Sequence, residues 1–232
     1  MSVPLSVIQG LPLLAKLPQV TITHLAQHAM ERVFAKREIV LHKDNAPSSL
    51  CFLLDGRLQG VDFTMDDREV GLYFVTPGDY FGEVALIDGG AQPEFVTAVA
   101  RSRVVFISRD LIKPILFASL ILSEAICTRL ADRLRGSMIQ RRILGLSNPL
   151  QRVCAQLELL YVTDPSGQVL VVNAPTHQEI AIMISASRET VTRVFQLLQS
   201  RGAVERDGNN LLVEKPEFVH DIAGGQLDMS TI

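Results

Sequence analysis

Arg188, Glu189 and Arg193 stand at a spacing that can read the edge of a base pair if a helix carries them. An arginine offers a bidentate pair to guanine O6 and N7, a glutamate accepts from cytosine N4, and a second arginine one turn on reaches a base edge or a phosphate. Thr176, Gln178, Ser187 and Thr190 are the short polar residues that contact phosphates beside such a helix, and Thr192 shares its polar face. The same residues also fit an ordinary solvated face in which Glu189 pairs with Arg193 at i,i+4. Taken alone they leave both readings open.

The elements that would position them are legible around them. Thr176-His177-Gln178-Glu179 is a capping box that opens a helix running to about Met183, and Ser185-Ala186-Ser187 supplies a tight turn and the N-cap of the next helix. In that second helix Val191, Val194, Phe195 and Leu198 form an apolar stripe at i, i+3, i+4, i+7. Two helices so joined predict a helix-turn-helix. Downstream, Ala203 to Arg206 and Asn210 to Val213 flank Asp207-Gly208-Asn209, a hairpin that predicts a wing.

Further upstream the pattern changes. Ser49 to Leu54, Leu58 to Phe63, Glu69 to Phe74, Phe95 to Ala100 and Val104 to Ile107 are short β-rich runs separated by Asp55-Gly56, Pro77-Gly78-Asp79 and Asp88-Gly89-Gly90. They predict a small antiparallel barrel or sandwich. Ile22 to Met30 predicts a short helix capped by Thr21 or Thr23. Between Pro114 and Pro149 no proline intervenes, so a helix of roughly 30 residues is allowed. Leu120, Cys127, Leu130, Leu134, Ser137 and Leu144 form a heptad seam along it, which predicts a parallel homodimer. Asn148-Pro149 breaks the helix and makes a hinge.

Composition narrows the function classes. The 232 residues are 47% hydrophobic and 20% charged, which excludes a disordered chain. Cys51, Cys127 and Cys154 lack metal-binding spacing, no apolar run spans a membrane, and the N-terminus lacks a signal-peptide pattern. A cytoplasmic protein without membrane, metal or cofactor is expected. Residues 149–232 carry 6 Lys and Arg against 10 Asp and Glu, so a broad positive field cannot drive nucleic-acid binding. Any such binding must rest on a few placed arginines.

The run QEIAIMISASRETVTRVFQLLQSRGAVER resembles the DNA-binding helix-turn-helix of the CRP/FNR family of bacterial transcription regulators. LCFLLDGRLQG and TPGDYFGEVALIDGG resemble that family's cyclic-nucleotide-binding β-roll, and the resemblance covers about residues 10 to 220. It implies an α+β chain: an antiparallel sensor β-roll over 1–110, a long dimerisation helix and hinge over 111–148, and a winged helix-turn-helix over 149–232. It further implies a homodimer that reads a TGTGA-like palindrome in double-stranded DNA through Arg188, Glu189 and Arg193 under allosteric control. RNA polymerase is the implied partner, touched by the turn Thr163 to Gly167.

The effector pocket departs from the family. Phe81-Gly82-Glu83-Val84-Ala85-Leu86 keeps the part that resembles the ribose and phosphate cradle. The Arg-Ser or Arg-Thr pair that neutralises the phosphate in cyclic-AMP-binding relatives should fall near Glu94-Phe95, yet no lysine or arginine occurs from 69 to 100. Ser137-Met138 stands where a Thr-Ser pair would meet adenine. An effector other than cyclic AMP is therefore expected, or none. By resemblance, cyclic di-GMP is one alternative, with Arg129, Arg133, Arg135, Arg141 and Arg142 available for its phosphates. These arginines also fit a plainly solvated helix. The iron-sulfur sensors of the family need an N-terminal cysteine cluster that is absent, and His24, His28 and His42 read as surface residues.

Two other function classes compete with this reading. A sensor whose C-terminal domain binds protein and not DNA would draw on the acidic stretch Asp207 to Asp228. An enzyme would need a nucleophile elbow, a P-loop or a metal motif, and none is present.

Overall fold

The computed structural model describes residues 3–46, 48–66 and 68–227, so Asp228 lies outside the described residues. The elements in chain order are α1 (Leu5–Gln9), α2 (Gln19–His28), β1 (Met30–Phe34), β2 (Ile39–Leu41), β3 (Ser49–Asp55), β4 (Leu58–Phe63), β5 (Glu69–Val75), β6 (Tyr80–Phe81), α3 (Glu83–Asp88), β7 (Phe95–Ala98), β8 (Ser102–Ser108), α4 (Arg109–Ala118), α5 (Leu120–Leu144), α6 (Pro149–Glu158), β9 (Val162–Thr163), β10 (Val169–Val171), α7 (His177–Met183), α8 (Arg188–Ser200), β11 (Val204–Asp207), β12 (Asn210–Val213) and α9 (Pro216–Ala223). They form two compact units. One holds the chain up to Phe63 with Leu72–Gly136, the other Thr64–Gly71 with the chain from Ser137 onward.

In the first unit two antiparallel sheets run in the orders β1-β8-β3-β6 and β2-β7-β4-β5. β3 explains the layering. Its run Leu50-Cys51-Phe52-Leu53 is apolar without alternation because both faces are buried. Cys51 and Leu53 join Phe34, Val40, Leu58, Val75, Phe81, Val96 and Val104 in a core drawn from both sheets. Leu50 and Phe52 join Leu14, Leu25, Leu86, Ile107, Ile112 and Leu122 in a second core that includes the helices. Each strand residue thus anchors one layer or the other, as the two-residue period of a strand requires.

Several sequence expectations shift here. The helix predicted over Ile22 to Met30 is α2, which starts at Gln19 behind Pro18. Thr21 and Thr23 are inside it and cap nothing, Thr23 Oγ1 donating instead to the Gln19 carbonyl at 2.9 Å. Met30 opens β1, an edge strand whose charged Glu31 and Arg32 mask its pattern. The predicted long helix is interrupted. Ser119 is extended (φ −106°, ψ 111°) and separates α4, which holds Pro114, from the 25-residue α5. α5 ends before Gly145, whose N–H meets the Arg141 and Arg142 carbonyls.

The seam on α5 divides. Leu130 packs against the helix-side core, whereas Leu120 is 83% exposed and Leu134 59%. Cys127 and Ser137 are exposed beside them. Leu122 and Ile126, off the seam, are buried in the first unit, and Ile143, near the end of α5, is buried in the second.

The second unit has a sheet in the order β11-β12-β10-β9 with α6, α7, α8 and α9. The wing forms as expected: Val204 faces Val213 and Asp207 faces Asn210, with Gly208 at φ 54° in the turn. α9 was not foreseen. Its Val219 and Ile222 are buried, and His220 Nδ1 lies 2.8 Å from Glu158 Oε1 on α6.

Candidate nucleic-acid interface and effector pocket

The helix-turn-helix is built by its caps. The Thr176 hydroxyl accepts from the Glu179 N–H at 3.3 Å while the Thr176 N–H donates to Glu179 Oε2 at 3.1 Å, which starts α7. Ser185 turns the chain at φ 50°, and the Ala186 N–H returns to the Ala181 carbonyl at 2.9 Å. Arg152 Nη1 on α6 clamps that turn through the Ile184 carbonyl at 2.9 Å. Ser187 then caps α8 by accepting from the Thr190 N–H at 3.1 Å. Val191, Val194, Phe195 and Leu198 are all buried, so the opposite face of α8 has only one way to point.

That face carries Arg188, Glu189 and Arg193, all exposed, with Thr176 and Gln178 exposed on α7. Among the described residues no ion pair joins Glu189 to Arg193. The i,i+4 pair of the solvated-face reading is thus not formed. Its own backbone N–H, then the Ser187 hydroxyl and the two arginines, hold the Glu189 carboxyl below its ordinary range, so it stays an acceptor at neutral pH. The Ser187 and Thr190 hydroxyls lie 3.0 Å apart and serve each other as well as the cap. Thr192 departs from the expectation of a free polar residue. Its hydroxyl is half-buried, donates to the Arg188 carbonyl at 2.9 Å and meets His177 Nδ1 at 2.9 Å.

The pocket residues of the first unit converge differently. Gly82 is left-handed (φ 83°), and a Cβ there would lie 3.1 Å from the Ser49 carbonyl oxygen, so only glycine turns the chain into α3 at this point. Glu83 follows at 0% exposure with Arg133 Nε of α5 3.0 Å from its Oε1. This is an ion pair off the hydrogen-bond line: both Glu83 oxygens and Arg133 Nη2 lack hydrogen-bond partners among the described residues. Burial pushes the Glu83 carboxyl above its ordinary range, with Arg133 opposing. Burial also works against the Arg133 charge, but Tyr73, Glu83 and Glu94 outweigh it and hold the guanidinium charged.

Glu94 is buried as well. The Tyr73 hydroxyl donates to its Oε1, and Gln92 Nε2 donates to the same oxygen at 3.2 Å. The Tyr73 ring lies under the Arg133 guanidinium, 4.1 Å from its centroid. The cluster therefore holds two carboxylates against one guanidinium and a phenol. Ala85 is buried and Val84 half-buried on α3. Phe95 is not part of this cluster; its ring stands edge-on to Phe63 at 5.6 Å and to His42 at 6.2 Å. Ser137 is exposed and belongs to the second unit.

Tyr73, Gln92 and the pair Arg129–Asp79, at 3.4 Å, were missed in the sequence. One signal was there. Gly60 sits mid-strand in β4, where a Cβ would come within 2.6 Å of the Tyr73 ring. Among the described residues no group of three His, Cys, Asp or Glu is placed to hold a metal ion.

Comparison with known proteins decides the family. A cyclic nucleotide-binding domain matches residues 31–119 and a Crp-like helix-turn-helix domain matches 151–219. The chain belongs to the CRP/FNR family of transcription regulators. This CRP/FNR-family chain is 27% identical over 187 residues to the CRP-like cAMP-activated global transcriptional regulator of Mycobacterium tuberculosis, covering 79% of this chain and 84% of the relative. Its fold is that of FixK2 from Bradyrhizobium japonicum (TM-score 0.73, 18% identity, 84% of this chain and 96% of that one). It is also that of the c-di-GMP responsive regulator CLP of Xanthomonas campestris (TM-score 0.63, 22% identity, 84% and 99%). DNA-binding transcription regulation, as a CRP/FNR-type protein, follows for this chain. No single helix among the described residues is long and apolar enough to cross a membrane.

Proposed function

We propose that this CRP/FNR-family regulator acts as a homodimer on a TGTGA-like palindrome and is controlled allosterically by an effector other than cyclic AMP. The division of labour is a sensor over 1–110, a dimerisation helix and hinge over 111–148 and a DNA-binding domain over 149–232. Arg188, Glu189 and Arg193 read base edges, and Thr176, Gln178, Ser187 and Thr190 contact phosphates. Support for the dimer comes from Leu120, Leu134 and Met138, exposed at 83%, 59% and 62% along α5, a stripe that a second copy of the helix would cover. RNA polymerase is the partner, met by the turn at 163–167 in the cytoplasm.

The observation that carries the effector reading is the bond from Tyr73 to Glu94. Where relatives that bind cyclic AMP place a cation for the phosphate, this chain places a buried carboxylate that its own tyrosine and Gln92 satisfy. Cyclic AMP seated in that cradle would bring its phosphodiester against the Glu94 carboxylate in a medium of low dielectric, which repels it, whereas cyclic di-GMP would be held by arginines of α5 outside the cradle. Cyclic di-GMP is the effector to test first, because CLP responds to it and shares the fold. Isothermal calorimetry of the purified protein with each nucleotide tests this. Saturable cyclic di-GMP binding with no cyclic AMP binding below millimolar supports the reading, and micromolar cyclic AMP binding overturns it.

A further inference from the structure

His177 sits at the first turn of α7 and belongs to no role given so far. Its ring stacks on Phe195 of α8, with centroids 4.5 Å apart and planes at 29°. Its Nδ1 meets the Thr192 hydroxyl at 2.9 Å, and that hydroxyl meets the Arg188 carbonyl at 2.9 Å. The protons of this chain can be assigned. A backbone carbonyl only accepts, so the one hydroxyl hydrogen of Thr192 goes to Arg188, and the contact with His177 must carry its hydrogen on Nδ1. The neutral ring is then the Nδ1–H tautomer, with a bare lone pair on Nε2. Nε2 has no hydrogen-bond partner among the described residues.

A proton can therefore add at Nε2 without breaking the strut from α7 to the opening turn of α8. What opposes it is the surroundings. The ring is half-buried, and the charged groups that face it are both cations, Arg188 from α8 and Arg206 from the wing strand β11. All three hold the free imidazole neutral, below its ordinary range. A DNA phosphate brought to this face would reverse the balance, because it neutralises the arginines and offers an acceptor to a protonated nitrogen.

We infer that His177 is a positioning residue that ties the reading turn of α8 to α7, and that it takes up a proton when the protein binds DNA. This rests on the reading that the Arg188 face meets DNA. By linkage, affinity for the specific duplex should then rise as pH falls, by up to about tenfold per pH unit for each half-site, so up to about a hundredfold for a homodimer that takes up two protons on a palindrome. The salt dependence should steepen by about 0.9 in log–log slope per half-site over the same range, because each protonated ring neutralises one more phosphate.

The experiment is fluorescence anisotropy of the full chain on a TGTGA palindrome from pH 5.5 to 8.0, for wild type, His177→Asn and His177→Phe. Asparagine keeps a donor for Thr192 but has no proton to gain. The expected result is a near-wild-type affinity for His177→Asn at pH 8.0 with the pH dependence flattened, and weaker binding at every pH for His177→Phe. A wild type that binds specifically with no pH dependence would overturn the inference, as would a His177→Asn protein that keeps the wild-type slope. Loss of specific binding by wild type at every pH would instead remove the reading beneath it, and the inference with it. Proton NMR of the His177 ring with and without duplex gives an independent readout: its titration must move up on binding.

Discussion

Arg133, on the helix that carries the exposed apolar stripe, lies between two residues of the sensor unit: its Nε is 3.0 Å from Glu83 Oε1, and its guanidinium covers the Tyr73 ring at 4.1 Å. In the proposed mechanism this is the junction at which the pocket and the dimer spine act on each other. An effector could bias α5 by changing what Arg133 holds, since a ligand shifts an equilibrium only through contacts that differ between the two states.

Tyr73→Phe should destabilise the protein by about 1–3 kcal/mol, because the buried Glu94 loses its phenol donor and keeps only Gln92. Urea denaturation compares the variant with wild type. An unchanged midpoint would mean that water replaces the hydroxyl and that the pocket is wetter than its burial implies.

Glu83 sets a pH dependence of stability. Burial raises its folded carboxyl above the unfolded value of 4.5, so the native state holds the proton more tightly than the unfolded chain. Its contribution is fully present below that unfolded value and is lost as pH rises through the folded one. Glu83→Gln should therefore flatten the pH–stability curve above about 4.5, the ordinary value of a glutamate carboxyl. Thermal melts between pH 4 and 8 read this directly, and parallel curves for variant and wild type would contradict it.

The stripe on α5 is tested by Leu134→Glu. A charge placed at a position 59% exposed in the single chain costs the fold little, but it would be desolvated and unpaired between two helices. Sedimentation should show a shift from dimer to monomer with the thermal melt of the N-terminal unit retained. A variant that remains dimeric would move the interface elsewhere.

Arg188→Ala should weaken specific binding by about 1–3 kcal/mol and relax the preference at a single base pair. Competition with duplexes substituted one position at a time measures it. Equal weakening on random DNA would assign Arg188 to a phosphate.

Much of the second unit was legible because its signals are local. The capping box at Thr176 and the cap at Ser187 span only four residues each, and the stripe from Val191 to Leu198 needs two turns. β3 was legible as a strand, but its unbroken apolar run could not say which residue faced which layer until both cores were seen. The pocket was legible only by subtraction. The missing cation could be noted from residues 69 to 100, but what takes its place comes from Tyr73 on β5, Gln92 and Glu94 in the loop before β7 and Arg133 on α5, residues that only the tertiary fold brings together. Thr192 reads on its own helix as a polar surface residue, and its contact with His177 from α7 comes only with the tertiary fold.

The most direct test of the central claim is anisotropy of the purified protein on a TGTGA palindrome against a scrambled duplex at fixed salt, first without effector and then with cyclic AMP. The account predicts preference for the palindrome that cyclic AMP leaves unchanged at any concentration up to millimolar. Binding that appears only when cyclic AMP is added would contradict it, because the pocket would then accept the nucleotide that the account says it repels.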